Sequence, residues 1–593
     1  MNASVGIDVG GTFTDLVAIH RDGTVEARKV LSTPADQSEG VEASLRALGQ
    51  RDLERVVHGT TVATNMLLER AGARVVLCAT AGFTDLLELR RQVRASLYDL
   101  ARHHPPPLVS PDRVVAVDER IGPDGVLRPL LPPAIADAVE RVAALAPDVV
   151  AVAFLHAYRD PSHERRLARA LRDRLPGVDV VCSSDVFPEI REYERTTTAV
   201  AEAYLRPGAA RYVRRLAERL RALSLPALGV MTSSGGMRTA ADASTGAAQL
   251  ALSGPAGGVV GAAAVLRAAA PGRALTIDIG GTSADVGLIL DGEPLVEPGG
   301  EVAGVPIALP RVLVETVSAG GGSIAWIDDG GALRVGPRSA GSVPGPIAFG
   351  RGGTQPTVTD AHVVLGTIRA ARMSGGVELD AEGARAGIAA LAARLGRPLE
   401  DTARAIVATA DATMARALRR LSVERGVDPR QCTLVGFGGG GPLHACGLAD
   451  IVGAARVLVP PFAGVLSALG LAMTAERREG MTSVMRRASE MDAAALEAAM
   501  RDAESRCDAD PSWTRSWFLR ARFAGQGHEL DVPAEPGDAP AAVRARFADL
   551  HRRRVGFELP VDVEIVSARC AASDAPRAAT LERRGEAWNA DAL

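Results

Sequence analysis

The chain opens on short apolar, β-prone runs separated by turn residues. Residues 4–9 (SVGIDV) form one run, Gly10-Gly11 breaks it, residues 16–19 resume it, and Asp22-Gly23 is a two-residue hairpin signal before Val25. Three antiparallel strands are predicted. The pattern then alternates, with a helix near 36–48, a strand at 55–57, a helix at 62–70 and a strand at 74–78. Prolines 105–107 and 132–133 bracket a loop-rich insertion, followed by a helix near 134–144, a buried strand at 149–155 and a helix at 162–174. A long helical stretch over 195–223 is expected to break near Pro207, and Pro226 marks a hinge between halves.

The second half restarts this pattern. Residues 274–279 read as a strand, Gly280-Gly281 turns it, 286–290 returns, and Asp291-Gly292 is again a hairpin signal. Residues 319–356 are rich in Gly and Pro and too long for a plain connection, so a functional loop system is expected there. Helices at 381–394 and 398–424, a strand at 433–435, glycines 438–441 and a helix to Asp450 follow. Beyond 485 come a helix, strands near 514–532, a helix to Arg554 and a last strand at 561–569. The division expected is 1–200, 201–485 and a small α/β appendage over 486–593.

Composition narrows the chemistry. The chain has 593 residues with 67 Lys plus Arg against 71 Asp plus Glu, and Lys29 is the only lysine. A P-loop and a pyridoxal Schiff base both need a lysine in a context that Lys29 does not occupy. The net charge of -4 and 3% aromatics argue against nucleic acid, leaving small molecules as the expected partners. Six scattered cysteines without a C-x-x-C pair, and a start that does not read as a signal peptide, predict reduced thiols in a cytoplasmic protein without zinc. Uncharged runs between Asp242 and Arg267 and between Arg456 and Glu476 are interrupted by Gly and Pro, so no membrane span is expected.

The chemistry is carried by a repeat. Asp8-Val9-Gly10-Gly11-Thr12-Phe13-Thr14-Asp15 returns as Asp278-Ile279-Gly280-Gly281-Thr282-Ser283-Ala284-Asp285, every shared residue offset by 270 positions. A carboxylate at a strand end can hold a hydrated Mg²⁺, while glycines bring backbone N–H groups close to a phosphate and the Thr hydroxyl adds a donor. Two copies facing one another would hold a polyphosphate from both sides without a lysine. A single D-x-G-G-T is as well explained by a tight turn; the duplication with matched flanks favours phosphate. Gly436 to His444 (GFGGGGPLH) joins a strand to a helix, and its glycines would let backbone pass close to an adenine or ribose; taken alone, it reads better as a helix entry.

Two such turns and a later glycine loop resemble the actin-like ATPases, the superfamily of sugar kinases, actin and heat-shock chaperones. That resemblance implies two RNase H-like lobes. More closely, GIDVGGTFTD, HGTTVATN (58–65), REYERTTT (191–198), LSGPAGGV (252–259), DIGGTSADV, SAGGGSIAWID (318–328), RVGPRSAG (334–341), PTVTDAHVVLG (356–366) and GFGGGGPLHA (436–445) resemble the hydantoinase/oxoprolinase A-type subunit over about residues 4–475. The resemblance implies ATP and Mg²⁺, and opening of a hydantoin, 5-oxoproline or related lactam after phosphorylation of its amide oxygen. It also implies a B-type partner subunit and an oligomer. Related members are ATPase subunits of ketone carboxylases, the alternative reading, and a regulatory ATPase is the third. Departures from the family pattern are Gly440 where Ala is usual, His362 where Asn is common, and a shorter C-terminal region.

Residue roles follow. Asp8 is expected to hold Mg²⁺ through water, Thr12 and Thr14 to donate to phosphate, and Asp278 to serve as the second metal-side carboxylate or general base. Gly10, Gly11, Gly280, Gly281, Thr282, Gly438, Gly439 and Gly440 are expected around the nucleotide. His58, Thr60 and Asn65 sit at a strand-to-helix junction and are candidates for substrate contact, with a helix cap as the competing role for Thr60 or Thr61. Arg90, Arg91 and Arg94 offer forks for a substrate carboxylate, against the plainer reading of a solvated helix face. Asp360 and His362 read as capping and buried hydrogen-bonding groups.

Overall fold

The computed structural model describes residues 3–10, 13–33, 37–49, 52–269, 272–369 and 378–580. Strands of the first lobe are, in chain order, β1 (Ala3–Val9), β2 (Phe13–Ile19), β3 (Val25–Leu31), β4 (Leu53–Gly59), β5 (Val75–Thr80), β6 (Val114–Val117), β7 (Val149–Ala153), β8 (Asp179–Cys182), β9 (Leu228–Met231) and β10 (Met237–Thr239). They form two sheets, ordered β10-β9-β4-β1-β2-β3 and β8-β7-β5-β6. In the first, β1 to β3 are the expected antiparallel meander and β4 runs parallel to β1. The second is wholly parallel, and its strands are nearly continuous apolar runs, as a sheet covered on both faces requires.

The second lobe repeats the arrangement. Strands β11 (Ala274–Ile279), β12 (Ala284–Leu290), β13 (Glu293–Pro294), β14 (Thr433–Phe437) and β15 (Arg456–Leu458) order as β13-β12-β11-β14-β15, with β14 parallel to β11. Both lobes thus have an antiparallel meander extended by parallel strands on the side of its first strand, which is the RNase H-like layout. β16 (Arg477–Arg487), β17 (Thr514–Phe523), β18 (Leu530–Ala534) and β19 (Val563–Ser573) form a third unit, ordered β16-β19-β17-β18 and backed by helices at Ala493–Ser505 and Pro540–Val555.

Two expectations are corrected. Helix α1 (Glu192–Ala222) continues through Pro207, because every residue from Arg195 to Leu205 is buried and this packing outweighs the one hydrogen bond that Pro cannot make. A domain boundary at 200 therefore falls inside a helix, and Pro226 leads into β9, which pairs with β4 and keeps residues 228–239 in the first lobe. Among the described residues no helix is long and apolar enough to cross a membrane. All six cysteines are free, and only Cys446 is exposed.

Between the lobes lie two apolar helices, α2 (Ser253–Ala269) and α3 (Leu466–Met473), whose buried residues join Val17 and Val57 of the first lobe to Val435 and Phe437 of the second. They touch through glycines. A Cβ on Gly470 would strike the carbonyl oxygen of Gly257, and one on Gly6 of β1 would strike that of Ala468. Gly470→Ala is expected to lower stability by at least about 2 kcal/mol by forcing the helices apart. Gly464→Ala, with no atom within 4 Å of the new methyl, should leave the thermal midpoint unchanged. Equal midpoints for the two variants would show that the seam has slack.

Candidate active site

Both copies of the repeat fold alike. Gly10 N–H donates to Phe13 O at 2.9 Å, and Gly280 N–H donates to Ser283 O at 3.0 Å, so each copy is the same tight turn. Gly11 and Thr12 lie outside the described residues. Strand pairing sets Asp8 opposite Asp15 and Asp278 opposite Asp285. Burial, then the charges of Asp15 and Asp278, push the Asp8 carboxyl up to about 8. Burial and then Asp285 push Asp278 up to about 7. Burial also raises Asp15 and Asp285. Aspartates from both lobes therefore share one field.

The counter-charge is Lys29. It faces Asp15 across β2 and β3, with Nζ 2.5 Å from Asp15 Oδ1 and 5.0 Å from the centre of the Phe13 ring. In the second lobe a hydroxyl stands in the corresponding place, Thr316 Oγ1 donating to Asp285 Oδ1 at 2.5 Å. Ser467 on α3 donates to Asp278 Oδ2 at 3.3 Å. The sequence reading assigned no role to Asp15, Asp285, Lys29 or Ser467; the first two share the offset of the repeat, which was the available signal.

Three glycine segments complete the surroundings. Gly438, at φ +79°, lies so close to Asp278 that a Cβ would overlap Oδ1, and Gly440 N–H donates to Ile279 O at 2.8 Å. Gly439 has no atom within 4 Å of where a Cβ would stand, nor has Gly281. Gly321 and Gly322 donate to Gly280 O and Gly281 O at 3.0 and 2.7 Å, fixing the second turn from behind, while Thr282 remains exposed. Part of the expected loop system thus backs the second turn. Thr359, in the helix Val358–Val364, holds Gly321 O through its N–H and its hydroxyl, both at 2.8 Å.

Behind these loops sits a buried relay. His444 Nδ1 donates to Asp411 at 2.6 Å, so its Nε2 accepts from His362 Nε2 at 3.2 Å, leaving His362 Nδ1 without a partner among the described residues. This ties the helix carrying Thr359 to the helix that opens from Gly438–Gly441. Asp360 caps its own helix with Thr357, as the sequence suggested.

Several expected contacts fall elsewhere. Thr14 is fully buried with its hydroxyl 3.1 Å from Ser32 Oγ, which itself donates to Gly10 O at 2.7 Å. His58 is also buried. Its Nδ1 donates to Ile7 O at 3.2 Å and its Nε2 accepts from Tyr212 at 2.8 Å, while burial lowers its pKa to about 4 and keeps it neutral. Thr60, 1% exposed, accepts the Val62 N–H at 3.1 Å, a local turn bond in place of a substrate contact. Asn65 is half-buried in the helix Val62–Leu68, where its carbonyl accepts the Glu69 N–H. Arg90 donates to Pro105 O and Arg91 to Glu194, both at 2.6 Å, so neither fork is directed at the aspartates. Arg94 is on an exposed loop.

Among the described residues no three His, Cys, Asp or Glu side chains stand close enough to ligate one metal ion. A cation at this site would be held through water by Asp8 and Asp278, whose carboxyls are raised first by burial and then by neighbouring carboxylates, a charge that the cation would offset. The protons on this pair are held in the folded state and released on unfolding. Their contribution to stability is full below the ordinary carboxylate value of 3.8 and is lost as pH rises through about 7 to 8. Asp8→Asn should therefore exceed the wild-type thermal midpoint near about pH 8.5 and match it near about pH 4. Lys29→Met should do the reverse at alkaline pH. An Asp8→Asn variant no more stable than wild type at the alkaline end would refute the shared field.

With this geometry in view, comparison with known proteins is direct. The Hydantoinase/oxoprolinase N-terminal region matches residues 4–175, and Hydantoinase/oxoprolinase matches residues 195–479. Caprolactamase subunit alpha of Pseudomonas jessenii is 33% identical over 96% of this chain and 86% of its own. Acetophenone carboxylase gamma subunit of Aromatoleum aromaticum is 34% identical over 79% of this chain and 67% of its own. The crystal structure of ATP-dependent caprolactamase from Pseudomonas jessenii superposes with a TM-score of 0.85 at 32% identity, covering 96% of this chain and 87% of that one. The chain belongs to the hydantoinase/oxoprolinase family, which includes ATP-dependent lactam hydrolases and ketone carboxylases.

Proposed function

We propose that this protein is the ATP-using subunit of a cyclic-amide hydrolase acting on a hydantoin, 5-oxoproline or a related lactam. The observation that carries the reading is the pair of Asp-Gly-Gly segments at equivalent strand junctions of the two lobes, each closed by the same Gly N–H bond, with both lobes packed on one shared core. The turns would take the β and γ phosphates through backbone N–H groups, and Gly438–Gly440 would lie along the nucleoside. Magnesium, when bound, would neutralise phosphate charge; Asp8 and Asp278 would hold its water shell. The amide oxygen attacks the γ-phosphorus and ADP leaves, giving an O-phosphorylated imidate. Water then adds to its carbon, the ring C–N bond of that adduct breaks with the nitrogen leaving as a protonated amine, and a second water hydrolyses the resulting acyl phosphate to carboxylate and phosphate. Asp278, near neutrality in its proton affinity and oriented by Ser467, is suited to take a proton from water at Oδ1 or Oδ2.

Structural likeness favours the hydrolase over the carboxylase. The caprolactamase structure has a TM-score of 0.85 at 32% identity and an acetone carboxylase structure 0.76 at 26%, each over 96% of this chain. A carboxylase would phosphorylate an enol and consume bicarbonate; a purely regulatory ATPase would need no acceptor. A B-type partner subunit, an oligomeric assembly and a cytoplasmic setting belong to the same proposal, the last supported by six free cysteines.

ADP release should rise with 5-oxoproline, hydantoins or lactams in the presence of the B-type subunit. Stimulation by ketones only when bicarbonate is added would overturn the hydrolase assignment. Asp278→Asn should cut turnover by about 10² to 10⁴-fold with nucleotide affinity nearly unchanged. Wild-type turnover in that variant would remove Asp278 from the chemistry.

A further inference from the structure

One loop of the first lobe is built to be covered. Between Leu89 and Pro107 the chain leaves the lobe and returns, and its large apolar side chains point outward: Leu89 is 50% exposed, Val93 63%, Leu97 75%, Tyr98 97% and Leu100 77%. Isolated apolar residues on a surface are ordinary, but five in twelve positions form a patch. The loop is nonetheless held in one shape. His104 Nε2 donates to Val93 O at 2.7 Å and Arg90 donates to Pro105 O at 2.6 Å, closing its neck. Ser96 Oγ accepts the Asp99 N–H at 3.1 Å, and Asp99 Oδ1 accepts the Ala101 N–H at 3.1 Å. Arg90, Arg91 and Gln92 all have positive φ, at 44°, 56° and 60°, a costly run for side-chain-bearing residues and one that tends to persist where function holds it.

Its charge indicates the occupant. Arg94 and Arg102 flank the apolar tip, and their guanidinium groups make no ion pair or hydrogen bond among the described residues. Only Asp99 opposes them within the loop, in a chain whose net charge is -4. The surface that receives this loop needs an apolar groove with carboxylates at its rim. Two unpaired cations are fewer than the about four to eight of a lipid-binding basic cluster, and the loop is not an amphipathic helix, so a protein partner fits better than a membrane.

The neck also has a defined neighbour. Arg91 pairs with Glu194 in the first turn of α1 at 2.6 Å, and Arg191, just before that turn, donates to Gly527 O and pairs with Glu529 of the C-terminal unit at 2.5 Å. Loop and C-terminal sheet are therefore anchored on the same helix end. Resting on the multisubunit reading above, we infer that residues 93–104 are the docking finger for the B-type subunit, with Leu97, Tyr98 and Leu100 entering its groove and Arg94 and Arg102 meeting acidic residues at the rim.

The test uses the full chain and the purified B-type subunit encoded in the same genome, with binding followed by light scattering and biolayer interferometry. Wild type should form a stable complex, and the triple variant L97S/Y98S/L100S should weaken it at least about 100-fold, as loss of a central apolar anchor does. R94E/R102E should slow association about tenfold and reverse its salt dependence. Partner-free ATP hydrolysis by the triple variant should equal that of wild type. Wild-type affinity in the triple variant, or no complex with wild type, would overturn the inference. So would self-association of wild type lost in the triple variant, which would assign the loop to a second copy, or loop-dependent sedimentation with vesicles containing phosphatidylserine. A complex that forms through the loop yet releases no ADP with any lactam would sink the hydrolase reading and leave the docking face intact.

Discussion

The molecule depends on a seam that has almost no side chains. Two helices cross between the lobes where Gly257, Gly261 and Gly470 meet, and Gly6 brings β1 down on α3. Only this approach sets the strand ends that carry Asp8 and Asp278 within electrostatic reach of one another. The interlobe core is correspondingly rich in Ala, Val and Leu, small enough to pack and large enough to exclude water from the carboxylates' flanks.

The duplicated half-sites are alike in backbone and different in charge. Asp15 has a lysine against it where Asp285 has a threonine. Four carboxylates with one cation give the cleft a net negative charge before any ligand arrives, and burial makes that charge costly. A site in this state favours protons or a divalent ion over an uncomplexed polyanion. The glycine loops add backbone N–H groups with no charge of their own, and the Asp411–His444–His362 chain lies behind them.

Much of the architecture was legible because it is periodic. Strand alternation, Asp-Gly hairpins and the 270-residue repeat led to both meanders and both turns. Pro207 misled because local propensity cannot register eleven consecutive buried positions supplied by other parts of the chain. For Thr14 and His58, motif membership says which turn a residue belongs to, whereas strand alternation decides which face it takes, and both side chains are buried. Lys29 was read from the sequence only as an exclusion. Its partner stands on the neighbouring strand, a relation visible once the hairpin register is known.

That single lysine has a practical consequence. Apart from the chain's first amino group, Lys29 is the only primary amine in the sequence, and it sits beside Asp15 with 23% of its side chain accessible. Amine-directed reagents, which on most proteins scatter over many surface lysines, here report on the cleft itself. A fluorophore or acyl group attached at that nitrogen would read the state of the interlobe gap without any engineered cysteine.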